Sequence, residues 1–204
     1  MTRKATGGAL PRRGVLAIGL ALLGQTAGTG AALAQDHPPT LPLRDVDVTY
    51  VVPTPAGAAR QRLRFSAMRQ KLRLDPPGGG LFVVIDFRGG RMFTVREADR
   101  SVIDMAAPKA WMPGLGHTRY VRGNDITVSG VSCTEWQTKD SEGRDVRICF
   151  DADGVMLRAS MRTAAGEAIL AEATEVRRDA QSPAVFVVPE SYRRLSPPPI
   201  AGAR

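Results

Sequence analysis

Residues 81–97 read LFVVIDFRGGRMFTVRE, and this stretch decides the fold of the chain. Two apolar runs, Leu81 to Phe87 and Arg91 to Glu97, flank a short connection with two glycines that permits a tight reversal. Aliphatic and aromatic residues at alternating positions are typical of strands, so the stretch predicts an antiparallel β-hairpin. Matching the side-chain faces pairs Ile85 with Phe93 and Val83 with Val95.

The alternation of apolar and polar residues extends outward from this hairpin in both directions. The alternating apolar sets are Val46, Val48, Tyr50 and Val52; Leu63 and Phe65; Leu72 and Leu74; Ile103 and Met105; and Val155, Leu157, Ala159 and Met161. Glycine-containing or polar turns separate many of these sets, as in a meander of antiparallel strands. The sequence therefore predicts a mainly β fold, one antiparallel meander sheet with one or two short helical segments.

A second hairpin is predicted from Val131 to Asp151, around a loop centred near Ser141. In this register Trp136 opposes Val146, and the two cysteines of the chain, Cys133 and Cys149, oppose each other. Residues opposed in this way approach closely enough for a cross-strand disulfide. The alternation puts both cysteines on the outer face, opposite Trp136.

Two segments leave the alternation. Thr163 to Arg178 is rich in Ala and Glu, which favours a helix, whereas Leu170, Thr174 and Val176 allow a strand, and both alternatives stay open. Ala106 to Gly116 contains two prolines and predicts a loop with a short helical turn.

The strand at 81–87 is apolar on both sides, which is unusual because one face of an antiparallel sheet is normally wet. Phe82 and Val84, with Met92 facing them, form the second apolar side. Either a second core layer covers this side, or an apolar ligand lies between it and a cover that includes Trp111 and Met112. Under the second alternative the ligand-binding residues are Phe82, Val84, Met92, Trp111 and Met112.

Basic residues line the polar face of two neighbouring strands: Arg60, Arg62, Arg64, Lys71 and Arg73. This basic outer face could be solvated and partly paired with Asp45 and Asp47, or it could contact an anionic lipid, another anionic envelope component or an acidic protein. No nucleic-acid partner is expected for an exported chain whose basic face has no interleaved aromatic residues.

The first 34 residues have the three parts of a secretory signal peptide. Four basic residues precede an apolar core, and the small residues around Ala34 predict cleavage after Ala34. Arg12-Arg13 leaves both the general secretory and the twin-arginine export routes open. Removing the leader takes four of the 28 basic residues and none of the 20 acidic ones, leaving a net charge of +4. A lead-in at 35–42, one β domain at 43–195 and a disordered tail at 196–204 are predicted to follow.

No catalytic or metal site can be assembled from the sequence. His37 and His117 lack a third ligand at a metal-binding spacing, and Asp151 to Gly154 lacks the remaining ligands of a calcium loop. Gly78-Gly79-Gly80 precedes a strand and lacks the Lys-Ser/Thr of a phosphate-binding loop. Ser132 lies in a pattern that misses the second glycine of a nucleophile elbow. We therefore expect a protein that is not an enzyme and has no cofactor.

The order of these patterns resembles the periplasmic lipoprotein-carrier superfamily (LolA/LolB-like), and within it a bacterial branch of unknown function. The resemblance spans Val46 to Tyr192 and rests on KLRLDPP at 71–77, LFVVIDF at 81–87, the Cys133-x-x-Trp136 motif and FVVPESY at 186–192. It implies a strongly curved sheet, a half-open barrel whose concave side holds acyl chains. The chain departs from the carriers in lacking clear lid helices.

Two functions follow as expectations. The first is a periplasmic, non-enzymatic and monomeric protein that binds a lipid or lipoprotein acyl chain on the concave face of the sheet. The alternative is an envelope interaction protein that docks an acidic partner through the basic outer face, with no ligand cavity.

Overall fold

The computed structural model describes residues 37–39, 41–108, 119–140 and 142–196. The predicted leader, most of the predicted tail, Trp111, Met112 and His117 lie outside these ranges. Within them, no helix is long and apolar enough to cross a membrane.

The described chain forms twelve strands and one 3-10 turn. The strands are β1 Val46–Thr54, β2 Gly57–Ser66, β3 Lys71–Asp75, β4 Leu81–Asp86, β5 Arg91–Arg96, β6 Ser101–Ala106, β7 Val121–Val128, β8 Val131–Lys139, β9 Asp145–Phe150, β10 Met156–Thr163, β11 Gly166–Arg177 and β12 Arg193–Leu195. The 3-10 turn is Pro183–Phe186. Most of the segment at 163–178 is therefore strand β11, and none of it is a helix.

All twelve strands belong to one open sheet in the order β12-β6-β5-β4-β3-β2-β1-β11-β10-β9-β8-β7. Two antiparallel meanders, β1 to β6 and β7 to β11, are joined where β1 pairs with β11. The predicted mainly β, antiparallel architecture is confirmed. The exception is β12, which runs parallel to β6 over three residues.

The sheet is strongly curved. The hydroxyl of Ser129, in the turn between β7 and β8, donates a hydrogen bond of 2.6 Å to the carbonyl of Ala173 in β11. In a flat sheet β8 and β11 would be three strand spacings apart, about 14 Å. The β7–β8 end of the sheet must therefore curl toward β11, without closing a barrel.

The main cluster is the larger of two buried apolar groups and includes side chains from both meanders. Its buried members are Val46, Val48, Tyr50, Phe65, Ile85, Phe87, Ala107, Val128, Cys133, Cys149, Val155, Leu157, Ala171 and Ala173. The predicted alternation in β1 is confirmed, since Val46, Val48 and Tyr50 are all buried in this cluster. The Tyr50 hydroxyl donates to the carbonyl of Met156 at 2.7 Å, which satisfies its one buried polar group.

The predicted register of the β4–β5 hairpin was wrong by one residue. Ile85 pairs with Met92 and Val84 with Phe93. The connection has four residues and not three, because the Asp86 carboxylate accepts the Gly89 N–H at 2.9 Å and Gly90 adopts a φ of +61°. Met92 therefore lies on the face of Ile85 and not on that of Phe82 and Val84.

The second hairpin, β8–β9, was predicted with a register two residues off. Trp136 pairs with Ile148, because the Asp140 carboxylate accepts the N–H groups of Glu142 and Arg144 and centres the loop one residue later. The predicted disulfide between Cys133 and Cys149 is confirmed as a diagonal link with 5.6 Å between the Cα atoms.

The predicted position of the disulfide on the outer surface was wrong. Cys133 is 4% and Cys149 2% exposed, and both belong to the main cluster. Trp136 is also buried, but it lies on the other face of β8, where Tyr120 packs edge-on against its ring and Arg122 approaches it. Both faces of this hairpin are thus partly covered, which alternation alone does not reveal.

Candidate functional site

The basic outer face is largely neutralised by aspartates of the same sheet face. Asp47 accepts Arg62 through both carboxylate oxygens and Arg177 through one. The hydrogen bond from Arg62, with a weaker one from Arg177, lowers the pKa of Asp47. Asp45, predicted as a further ionic partner, instead accepts the backbone N–H groups of Ala67 and Gln181, each at 2.8 Å.

Three of the four remaining cations of this face have similar partners. Asp75 accepts both Arg64 and Arg73, and Lys71 lies 3.2 Å from Asp86. Of the five predicted residues, Arg60 alone forms no ion pair with the part of the chain that the structure describes. The face is therefore a network of paired charges, not a strip of free cations.

The second apolar side of β4 is covered by the chain itself. We call residues 181–195 the closing segment; it contributes Val185, Phe186, Val188 and Tyr192 to an outer cluster with Phe82, Val84, Phe93, Val95 and Val102. Phe82 is 4% and Val84 1% exposed. The second core layer that the sequence left open is thus present. It is formed by the closing segment, which the sequence pattern did not assign to this layer.

The structure does not bring the five predicted ligand-binding residues together. Phe82 and Val84 are buried under the closing segment, whereas Met92 packs against the main cluster on the opposite face. Trp111 and Met112 lie outside the described residues. A ligand site on these five residues stays a prediction.

A cleft of about 510 Å³ opens between the tips of the β8–β9 and β10–β11 hairpins. Its lining residues are Gln137, Asp145, Val146, Arg147, Arg162, Thr163, Ala164, Gly166 and Glu167. Pairing between β9 and β10 ends at Val146 and Met161, and the two hairpin tips extend beyond it. Gly166, with a φ of +117°, begins β11 at the cleft wall, a conformation that suits glycine.

Glu167 is the carboxylate at the centre of the cleft charges. Its Oε1 accepts the buried Ser160 hydroxyl at 2.6 Å, and its oxygens lie 3.5 Å from Arg158 and 3.8 Å from Arg147. The Ser160 hydrogen bond, followed by the nearby positive charges of these arginines, lowers the pKa of Glu167. This carboxylate therefore stays ionised at neutral pH.

Arg162 is the lining cation without a carboxylate of its own. It lies opposite Glu167 in the β10–β11 register, yet it forms no ion pair with any of the described residues. Asp145, the other lining carboxylate, is already paired with Lys139 at 2.6 Å. An incoming carboxylate could therefore pair with the Arg162 guanidinium without displacing any of the described side chains.

Arg162, which forms no ion pair with the described residues, gives this cleft one group that can bind an anion. No group of three His, Cys, Asp or Glu side chains suited to a metal ion occurs among the described residues. The Ser160 hydroxyl donates to the Glu167 carboxylate, and no histidine is among the described residues that line the cleft. This site is not evident from the sequence because 163–178 is compatible with both strand and helix. The strand alternative places Arg162 and Glu167 across a two-residue hairpin.

Comparison with known proteins shows similarity in fold. No protein-family model matches the sequence, and no curated protein does. An uncharacterized conserved protein from Thermus thermophilus is similar in structure, with 12% identity over 76% of this chain and 91% of that one and a TM-score of 0.57. A chain of the Pseudomonas aeruginosa MucA/MucB complex has 13% identity over 71% of this chain and a TM-score of 0.50. This chain covers 56% of that one.

The similar structures also include a LolA superfamily protein from Nitrosomonas europaea, with 8% identity over 72% of this chain and 92% of that one and a TM-score of 0.35. They thus contain a member of the superfamily that the sequence resembles. At these identities the likeness concerns the fold alone.

Proposed function

We propose that the protein is an exported, non-enzymatic binding protein of the periplasm that docks an acidic segment of a partner protein in the cleft between the β8–β9 and β10–β11 hairpins. The observation that carries the proposal is Arg162, which forms no ion pair with the described residues and lines a cleft of about 510 Å³. A guanidinium presents donors in a planar fork that matches the geometry of a carboxylate.

Export is supported by the disulfide and by the leader pattern. Disulfides form and persist in oxidising compartments, and the Cys133–Cys149 link is buried in the main cluster. A protein partner is supported by the similar Pseudomonas aeruginosa chain, which was solved in a complex of two proteins, MucA and MucB. This support is at the level of the fold.

The cleft is a better candidate than the basic outer face for an acidic partner. On the outer face, Arg62, Arg64 and Arg73 each already donate to an aspartate, so a partner would have to displace those pairs. Arg162 needs no such exchange. A lipid on Phe82 and Val84 would require the closing segment to leave.

The proposal is tested by fluorescence anisotropy with a labelled oligo-glutamate peptide and the protein purified from its own periplasm. We expect binding of oligo-glutamate, none of oligo-lysine, and a loss of affinity as salt is added. Arg162→Ala should weaken binding about fivefold, the size expected for one partly exposed ion pair.

Arg60→Ala is the matched control, because Arg60 is also exposed and unpaired among the described residues but lies outside this cleft. The affinity of Arg60→Ala for oligo-glutamate should stay within twofold of the affinity of the original protein. Equal losses in both variants would show that binding follows net charge and would overturn the proposed site.

A further inference from the structure

The cleft already contains a carboxylate that makes the contacts a partner carboxylate would make. Glu167 accepts the Ser160 hydroxyl and lies near the guanidiniums of Arg158 and Arg147. Two of the three arginines of the cleft region are therefore directed at a residue of the chain itself. The third, Arg162, stands directly across the β10–β11 ladder from it.

The contacts of Glu167 differ in strength. The Ser160 bond is short, but the distances to Arg158 and Arg147 are 3.5 and 3.8 Å, long for charge-assisted hydrogen bonds. The side chain of Glu167 is 40% exposed and stands at the second residue of β11. It can therefore turn toward solvent by side-chain rotation, with the backbone of β11 unchanged.

Release of Glu167 would leave the buried Ser160 hydroxyl without an acceptor. A buried donor that loses its partner is unfavourable. The buried Ser160 hydroxyl therefore favours a state in which a partner carboxylate replaces that of Glu167 over a state in which Glu167 leaves and nothing replaces it. A cationic group offers no such replacement, and an uncharged acceptor would replace the hydrogen bond from Ser160 but not the ionic contacts with Arg158 and Arg147.

We infer that Glu167 is an internal competitor: the acidic partner binds by displacing its carboxylate from Ser160, Arg158 and Arg147, after first engaging Arg162. This inference rests on the proposed function of the cleft. In this arrangement Glu167 lowers the affinity for every carboxylate and limits binding to partners with enough acidic residues to outcompete it.

The test is the affinity of Glu167→Gln for labelled oligo-glutamate in the same anisotropy assay. The amide retains an oxygen that can accept the Ser160 hydroxyl, but it no longer attracts the guanidiniums. We expect binding about fivefold tighter than in the original protein. Glu167→Ala, which removes the acceptor, should tighten binding in the same direction, and a thermal melt of each variant checks that it is folded.

Glu175→Gln is the control, because it makes the same change of net charge on the same strand, with Glu175 paired to Arg177 outside the cleft. Its affinity should rise less than twofold. If Arg162→Ala weakens binding but Glu167→Gln binds no tighter than Glu175→Gln, the competitor role is overturned while the docking function stands. If no variant binds oligo-glutamate at all, the proposed function and the competitor role are both overturned.

Discussion

The guanidinium of Arg73 lies 3.6 Å from the centre of the Phe82 ring, over its face. The same guanidinium donates to the Val185 carbonyl at 3.1 Å and to the Asp75 carboxylate at 2.7 and 2.9 Å. One side chain thus joins the paired charges of β2 and β3 to the apolar outer cluster and holds the closing segment against both. Arg73 is a structural clamp on this face of the sheet.

Arg73→Ala should destabilise the protein by about 2 to 3 kcal/mol. The variant loses a cation–π contact, hydrogen bonds to a charged group and a hydrogen bond to the closing segment. The free energy of unfolding, measured by urea denaturation followed by circular dichroism, checks this expectation.

Arg60→Ala is the control for the loss of one arginine on the same face and should change the unfolding free energy by less than about 0.5 kcal/mol. Equal stabilities of the two variants would mean that the clamp contacts contribute nothing measurable to the fold.

The strand alternation predicted β1 correctly because its two faces differ: Val46, Val48 and Tyr50 are apolar and the residues between them polar. A shift by one residue there would bury Asp47 among apolar side chains, so the register is strongly specified. In the β4–β5 hairpin both faces are apolar, so a shift by one residue buries no polar side chain and the alternation does not specify the register. The register was instead decided by the Asp86 carboxylate, which accepts the Gly89 N–H and lengthens the turn.

The closing segment shows a second limit of sequence reasoning. Val185, Phe186 and Val188 have no strand or helix periodicity, so nothing local indicates that they cover β4. Their position depends on long-range contacts such as Arg73 with the Val185 carbonyl. The cleft has both kinds of cause: 163–178 was open between strand and helix, and the divergence of the two hairpin tips is not visible in the local sequence.

The buried disulfide between Cys133 and Cys149 can be tested by thiol titration and by substitution. Thiol titration of the denatured, non-reduced protein should find no free thiol. Replacing both cysteines by alanine should lower the unfolding free energy by about 3 kcal/mol, the loop-closure value for a separation of 16 residues. Two titratable thiols in the exported protein would contradict the cross-link, and a double variant as stable as the original would contradict its stabilising role.

The pair formed by Asp47 and Arg62 should make stability depend on pH in the acid range. The hydrogen bond from Arg62 lowers the pKa of Asp47 below its ordinary value of 3.8, so the folded state holds the charged form more strongly than the unfolded state does. This stabilisation is complete above pH 3.8 and is lost as the pH falls through the lower, folded-state value. Unfolding free energies measured by urea denaturation between pH 5 and pH 2 should therefore decline.

Asp47→Asn should reduce that decline, because the amide does not titrate and the pair with Arg62 is lost at every pH. The variant should be less stable at pH 7 and lose less stability between pH 5 and pH 2 than the original protein. An unchanged acid slope would show that Asp47 is not one of the groups responsible.

Val84→Trp distinguishes a packed outer cluster from a lipid-binding face. Val84 is 1% exposed and packs in the outer cluster with Phe186, so a larger ring has no room and should destabilise the protein by about 1 to 3 kcal/mol. Val187→Trp, at a position 59% exposed on the closing segment, should cost less than about 0.5 kcal/mol. Native mass spectrometry of the original protein, purified from its own envelope, should show the mass of the chain without lipid. A bound lipid that disappears in a stably folded Val84→Trp variant would instead show that an acyl ligand displaces the closing segment, and the docking function would then give way to lipid binding.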